Sequence, residues 1–292
     1  LPRSAEWVAL GWRILWREQA RQFRPDGMLG EQSTHYHLLL TRTYAEVALL
    51  ARRNGVPVSP ERAAAVERMF RVAGRFVRPD GTLALVGAVS PDLDPGPLAG
   101  ILAVGAAFFG VPSPAGPSEY ALWFLGKEGL DRLPAREAPS DGIEVLAASG
   151  FGVVRAPGRH LVLHNDPAGE VVRHGHADGL GVVLWAAGRE VLVGGGRSTF
   201  EPDAWGRYFR GARSRSTVIV DGLSPQIVGA TLRNLLPDSY TRAEGRLSGA
   251  EALEASHTGT ARLPSPAILF RRVELGADGS VILEDRLEGP GE

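Results

Sequence analysis

Cysteine is absent from this 292-residue chain, which excludes disulfides and cysteine-based zinc sites. Lysine is nearly absent: Lys127 is the only one, and a GC-rich genome explains that bias at least as well as a need for arginine forks. No apolar run is long enough to cross a membrane as a helix. The formal net charge is only -1, so no overall field favours nucleic acid or a membrane surface as partner.

Helical periodicity dominates the first part of the chain, with apolar residues three or four positions apart. The predicted helices are Ser4–Gln22, about Tyr36–Asn54, one that begins at Ser59 and Pro60, Pro97–Phe109, and Glu119–Leu125. Their predicted apolar faces are Trp7, Leu10, Ile14 and Leu15 in the first helix, Tyr36, Leu40, Tyr44, Val47 and Leu50 in the second, and Val66, Met69, Phe70 and Ala73 in the third.

The tripeptide Pro-Asp-Gly occurs twice, at 25–27 and 79–81, each time just after a predicted helix. This repetition suggests stacked helical hairpins, as in an α/α toroid or solenoid. Because Pro-Asp-Gly is also a common turn, two copies alone do not establish the architecture.

Near Asp141 the pattern changes to the period of two that is typical of strands. The predicted strands are Phe151–Arg155, His160–His164, Leu180–Ala186, Glu190–Val193, Thr217–Val220, Ile268–Leu275 and Val281–Asp285. Leu133–Ser140 has the composition of a linker. We therefore predict an α+β multidomain chain, with a helical domain over residues 1–135 and an antiparallel β domain over residues 141–292.

Three segments concentrate side chains that could carry chemistry. The first is Gly30–His37, where a helix begins; backbone N–H groups there can face an anion, and a tyrosine can transfer a proton if cations stabilise its phenolate. A capped helix with a tyrosine in the core is the simpler interpretation.

The second segment is Arg173–Asp178, in which His174 and His176 alternate along an extended backbone. Such histidines can handle protons or bind a metal, although two alone make a poor zinc site. A polar loop satisfied by its own hydrogen bonds explains the segment equally well. Three other histidines, His160, His164 and His257, stand alone and favour structural or exposed roles.

The third segment is an arginine group with aromatic residues between its members. Arginine forks bind carboxylates and aromatic rings stack on sugars, so the group suits an acidic glycan. A solvated surface is the simpler interpretation, and nucleic acid lacks support because the chain has no basic excess. The group contains Trp205, Arg207, Tyr208, Phe209, Arg210, Arg213 and Arg215.

These segments, in this order, resemble the heparinase II/III-like polysaccharide lyase family. Pro25-Asp26-Gly27, Glu31-Gln32-Ser33 and Tyr36-His37 are similar to the family's tyrosine-bearing segment. His174-Gly175-His176-Ala177-Asp178 and the following Leu180 resemble the opening of its β-sandwich. The match continues through Arg207-Tyr208-Phe209-Arg210, Ser216-Thr217-Val218, Val220-Asp221-Gly222, His257, Arg262-Leu263 and Arg271-Arg272-Val273.

The resemblance implies a partial α/α toroid followed by an antiparallel β-sandwich, with β-elimination of an acidic polysaccharide in a cleft between them. It makes Tyr36 the proton-transfer residue and His174 the partner base or enolate stabiliser. Glu31, Gln32 and His37 would line the site, and Arg173, Arg207 and Arg210 would bind the substrate. No cofactor is implied, and a periplasmic or secreted location is favoured.

The chain departs from the family pattern at three places. The family's carboxylate-neutralising Asn or Asn-His segment would precede Leu1, and the β domain is expected to be incomplete at its C-terminal end. The family's structural metal site joins the second histidine of the pair to a later aspartate and histidine. Gly194 and Arg215 stand at those two positions, so no metal is expected.

Two functions from different classes therefore remain. Tyr36, His174 and His176 favour a lyase, whereas the altered metal positions favour a non-catalytic glycan-binding or structural protein on the same fold. Hydrolysis would need a pair of carboxylates across the cleft, and no strong candidate pair is visible. The sequence does not indicate which polysaccharide is bound or whether the protein forms oligomers.

Overall fold

The structure is a computed structural model that describes residues 3–89, 96–137, 139–165, 176–199, 201, 203–226, 245–249, 251–276 and 278–290. It confirms the α+β class, because helices fill the first part of the chain and two antiparallel sheets the second. No helix within these ranges is long and apolar enough to span a membrane.

Among the described residues, five helices form the first layer, and successive members from the second onward pack on one another. They are α1 (Ser4–Gln22), α2 (Thr34–Arg53), α3 (Pro60–Arg75), α4 (Gly96–Phe109) and α5 (Glu119–Asp131), and a sixth, α6 (Ala204–Arg210), lies among the β elements. The predicted boundaries agree within a few residues at most ends, because Ser33, Ser59 and Ser118 are N-cap residues and Pro60 begins α3.

The buried faces of the helices agree less well with prediction than their boundaries do. Val66, Met69, Phe70 and Ala73 of α3 are all buried, as predicted. In α1 the predicted face is wrong, because its apolar residues are largely exposed and only Trp16 is buried.

The buried face of α2 consists mainly of small and polar residues, so the apolar positions in the sequence do not predict it. Tyr44 is buried as predicted, but Leu50 is 63% exposed. Thr41 and His37 are buried instead, with backbone carbonyls as hydrogen-bond partners. The buried residues of this helix are Thr34, His37, Leu38, Thr41, Tyr44, Ala45, Ala48 and Ala51.

In the part of the chain that the structure describes, nine strands form two antiparallel sheets, each ordered as in the sequence. Sheet 1 contains β1 (Gly142–Leu146), β2 (Phe151–Ala156), β3 (Arg159–His164), β4 (Gly181–Ala186) and β5 (Arg189–Leu192); sheet 2 contains β6 (Gly245–Gly249), β7 (Leu253–His257), β8 (Ile268–Leu275) and β9 (Val281–Glu288). The prediction of a strand at Thr217–Val220 is wrong: there only Val220 makes an isolated bridge, to Leu223. β1, β6 and β7 were not predicted.

Sheet 1 is the middle of three layers, and its alternating side chains face different cores. On β2, Val153 packs with the helices whereas Val154 faces sheet 2; on β3, Val162 and Leu161 divide in the same way. Leu253 and Leu269 of sheet 2 complete the second core. A strand buried on both faces needs a continuous apolar run, as Phe151–Val154 has.

The helical layer and sheet 1 are also joined by polar contacts. Arg155 Nη2 on β2 donates to the carbonyls of Arg75 at 2.7 Å and Gly74 at 3.3 Å, where α3 ends. His160 Nε2 lies 2.9 Å from the Arg75 carbonyl as well. These donors add to the hydrogen bonding of carbonyls at a helix C-terminus, where the last carbonyls lack their regular intrahelical partners.

The two Pro-Asp-Gly turns have the same local structure. In each, the aspartate accepts from a backbone N–H two residues later, and the glycine has a positive φ of 97° at Gly27 and 86° at Gly81. Each turn closes a short antiparallel bridge. Asp26 also accepts from the N–H and hydroxyl of Ser149, in the turn between β1 and β2, so the first Pro-Asp-Gly turn fixes the segment before α2 against that end of sheet 1.

Candidate functional site

The N-terminus of α2 is held rigidly, and this fixes the position of Tyr36. The Ser33 hydroxyl accepts from the Tyr36 N–H and donates to the Ala88 carbonyl. The Thr34 hydroxyl donates to the carbonyl of Ala84 at 2.8 Å, and its N–H donates to that of Val86. The helix start is therefore bound to residues 84–88, which lie 50 or more positions away in the sequence.

Backbone conformation adds to this rigidity. Gln32 adopts a φ of 56°, which is unusual for a residue with a side chain. Gly87, at φ 74°, packs so closely that a Cβ there would lie 2.3 Å from the Gln32 carbonyl oxygen. Only glycine permits this approach.

Tyr36 is half-buried and contacts a residue from the β half of the chain. Its hydroxyl lies 3.3 Å from Nη1 of Arg197, which follows β5. The Arg197 N–H in turn donates to the Val89 carbonyl at 2.9 Å. The ring of His35 stacks on Tyr36, with centroids 5.4 Å apart. Tyr36 thus lies where the helical layer meets the loop after β5.

Arg197 was missed by the sequence analysis. It directly follows a run of three glycines, Gly194-Gly195-Gly196. The structure shows why the glycine beside Arg197 matters: Gly196 has a φ of 58°, and a Cβ at that position would lie 2.9 Å from the Val89 carbonyl oxygen. Glycines that allow a loop to approach a helix start could have drawn attention to the arginine beside them.

Two of the residues predicted to line the site, His37 and Gln32, are buried. His37 is fully buried; its Nδ1 accepts from the Leu29 N–H, and its Nε2 lies 2.9 Å from the Met69 carbonyl. Burial lowers the pKa of His37 to about 4, so it is neutral at ordinary pH. Gln32 is buried too. These placements favour supporting roles over direct substrate contact, whereas Glu31 is partly exposed.

A buried polar chain crosses from the helical layer into sheet 1. His164 at the end of β3 donates from Nδ1 to Asp178 at 2.9 Å, and its Nε2 lies 3.0 Å from Gln32 Oε1. Burial works to raise the pKa of Asp178, but His164 and Arg215 outweigh it and hold that pKa below its usual range. His164, predicted as a lone structural histidine, therefore joins Gln32 to Asp178.

His176 has an arginine as its partner. Arg215 Nη2 donates to His176 Nδ1, to the Gly196 carbonyl at 2.8 Å and to the Phe209 carbonyl at 2.5 Å. Because Nδ1 accepts, His176 is neutral. Burial and the adjacent Arg215 lower its pKa to about 3.

The remaining predicted site residues divide into two groups. Arg173 and His174 lie outside the described residues. Arg207 is exposed on α6 and Arg210 is partly buried, and the Arg210 carbonyl accepts from the Ala177 N–H at 2.9 Å. The C-terminal end of α6 therefore adjoins the segment that begins at His176.

The residues that stand at the family's metal position do not fit a metal. Gly194 has no donor, and a Cβ there would lie 2.4 Å from the Leu85 carbonyl. Arg215 brings a positive charge to the lone pair of His176. Among the described residues there is no group of three metal-binding side chains.

Comparisons with known proteins agree with this architecture. Residues 1–90 match the profile described as heparinase II/III N-terminus, and residues 138–292 match that described as heparinase II/III-like, C-terminal. A search of curated proteins found no match.

Several solved structures share the fold. Heparan sulfate lyase HepC from Pedobacter heparinus superposes with a TM-score of 0.73 at 20% identity, covering 98% of this chain and 42% of that one. A structure described as heparinase III gives 0.71 at 17%, covering 99% and 44%. The chain thus spans less than half the length of these proteins.

Proposed function

The chain belongs to the heparinase II/III-like family, and from this premise we propose that the full-length protein is a lyase that cleaves an acidic polysaccharide by β-elimination. The contact of Arg197 with the Tyr36 hydroxyl carries the proposal, because it places a cation at a half-buried phenol between the two parts of the chain. That combination suits proton transfer beside an anionic sugar.

In the proposed reaction, a base takes the proton from C5 of a uronic acid and the C4–oxygen bond breaks. A double bond forms between C4 and C5, and the leaving oxygen receives a proton. We assign that proton to the Tyr36 hydroxyl, and His174 is the candidate base or enolate stabiliser. The carboxylate on C5 must be neutralised while charge develops on it.

Arg197 fits the donor role of Tyr36. A guanidinium can only donate, so its bond uses a lone pair of the phenol oxygen and does not use the hydroxyl proton. The same bond strengthens when the proton leaves and the oxygen becomes negative. Arg197 thus stabilises the phenolate that proton donation to the leaving group creates.

The segment that contains His174 ends close to this contact. Arg215 donates both to His176, two residues after His174, and to the carbonyl of Gly196, which precedes Arg197. One guanidinium therefore joins the histidine segment to the loop that contacts Tyr36. This proximity of the described His176 to the loop that contacts Tyr36 supports the partner role proposed for His174.

The surface of α6 supplies groups that suit a glycan. Trp205 is 64% exposed and Tyr208 is 43% exposed, and their rings lie edge to face. With Arg207 exposed on the same helix, the surface combines stacking rings and a cation. It also supports the second candidate function, a glycan-binding protein without activity.

The test uses full-length protein with heparan sulfate, alginate and related acidic polysaccharides, followed by the ultraviolet absorbance of the unsaturated uronate product. Tyr36→Phe should abolish product formation and leave glycan binding largely intact, because only a hydroxyl is removed. Tyr120→Phe is the control; its hydroxyl contacts Glu46 in the helical layer, away from Arg197.

Two results would contradict the proposal. Wild-type protein that binds the glycans but yields no unsaturated product with any of them would favour the non-catalytic function. A Tyr36→Phe protein as active as the Tyr120→Phe control would remove Tyr36 from the chemistry.

A further inference from the structure

Arg215 is a cation buried between several parts of the β half. Its Nε and Nη1 atoms are buried, and its Nη2 contacts a histidine ring and two backbone carbonyls. Burial lowers the pKa of Arg215 to about 10, which leaves the side chain charged at neutral pH. A buried charge of this kind needs compensation close by.

The compensation comes from Asp178. Asp178 and Arg215 both line a cavity of about 10 Å³, together with His164, Gly194 and Leu85. Such a volume holds at most a single water molecule, so a hydrated ion does not fit between them. The carboxylate is itself fixed by His164, which connects it to Gln32.

The groups around Arg215 are those that usually surround a metal ion: an imidazole nitrogen, carbonyl oxygens and a nearby carboxylate. The guanidinium uses the His176 lone pair, so a metal could bind there only after displacing it. Gly194, at the position of the family's aspartate, has no side chain that could reach a metal: a Cβ there would lie 2.4 Å from the Leu85 carbonyl oxygen, whereas its distance of 3.5 Å from Arg215 Nη1 is ordinary contact.

We propose that the Arg215 guanidinium is a built-in structural cation that replaces a bound metal in this domain. It ties the His176 segment to the Gly196 carbonyl and the end of α6 through bonds that a metal would otherwise provide. The protein therefore keeps this part of its fold without any metal. The inference concerns the fold and does not depend on the proposed lyase activity.

The first test measures metal directly. Full-length protein purified without chelator is analysed by inductively coupled plasma mass spectrometry, and its Tm is measured with and without EDTA. We expect far less than one zinc, calcium or other divalent ion per chain and an unchanged Tm. A stoichiometric metal whose removal lowers Tm would overturn the proposal.

The second test changes the arginine. Arg215→Met leaves Asp178 buried without its cation, so Tm should fall by on the order of 10 °C. Arg213→Met is the matched control, since Arg213 is an exposed neighbour whose Nη2 donates to the Gly222 carbonyl. Equal Tm values for the two variants would overturn the structural role.

Arg215→Lys covers the case in which Arg215→Met does not fold. Lysine keeps the charge but lacks the planar fork, so the Arg215→Lys variant should fold with a Tm below that of the wild type. A lysine variant as stable as the wild type, still free of metal, would show that the fork is not needed and would contradict the proposed bonds. Neither readout uses enzymatic activity, so a failed lyase assay leaves this test intact.

Discussion

Replacing His160 with glutamine tests whether buried neutral histidines limit the acid stability of this fold. His160 lies on β3, is 1% exposed, and has Nε2 2.9 Å from the Arg75 carbonyl. A carbonyl only accepts, so Nε2 carries the proton of the neutral ring. Glutamine can present an N–H to the same carbonyl, but it does not titrate.

The magnitude follows from the pKa. Burial, with the nearby Arg155 charge, lowers the pKa of His160 from 6.5 to about 4. The unfolded chain therefore takes up this proton at a higher pH than the folded chain does. The contribution of neutral His160 to the unfolding free energy is fully present above pH 6.5 and is lost as the pH falls towards 4. The lowered pKa corresponds to a loss of about 2 kcal/mol by pH 5 and about 3 kcal/mol by pH 4.

The assay is urea unfolding followed by tryptophan fluorescence at a series of pH values from 7.5 to 4. The His160→Gln variant should lose less unfolding free energy than wild type on acidification, by about 2 kcal/mol at pH 5. His37, with a pKa also near 4, remains in the variant and should keep part of the pH dependence. Parallel pH profiles for the two proteins would refute the reasoning.

Three further predictions concern other contacts. Arg197→Met should lower kcat by about 10²–10³ because a donor to the Tyr36 oxygen is lost, and an unchanged kcat for purified variant protein would exclude that role. Gly87→Ala should cost about 3 kcal/mol in urea unfolding because it adds a clash to a positive φ, whereas Gly55→Ala, with positive φ but open space, should cost about 1 kcal/mol. Arg155→Met should lower unfolding free energy by about 3 kcal/mol, since the carbonyls of Gly74, Arg75 and Val77 each lose a charged donor; a loss below 1 kcal/mol would show that water or the remaining donors replace it.

The helix boundaries could be predicted because they depend on local residues. Ser33, Ser59 and Pro60 act within a single turn, so their effect is visible in the sequence. The buried face of α2 could not be predicted in this way. Thr41 and Ala48 are buried because the neighbouring layers lie close, and their hydropathy gives no sign of it.

In the candidate site, too, residues with local signals could be predicted and residues that act on distant partners could not. Tyr36 and Gln32 could be predicted as candidates because a helix start after a turn is a local signal. Arg197 and His164 were missed because each acts on a partner more than 130 positions away. The strand at Thr217–Val220 was predicted from alternating residues, but the structure uses this segment for contacts, such as the Thr217 hydroxyl with the Gly179 carbonyl.

The position of the site follows from the burial of sheet 1 on both faces. Since one face packs on the helices and the other on sheet 2, the ends of its strands are the places where polar side chains can reach either layer. His164 and Gly181 pair at one such end, and the chain from Gln32 through His164 to Asp178 passes there. The loop after β5 brings Arg197 to Tyr36. The contacts that hold Tyr36 in place therefore require both halves of the chain to be folded together.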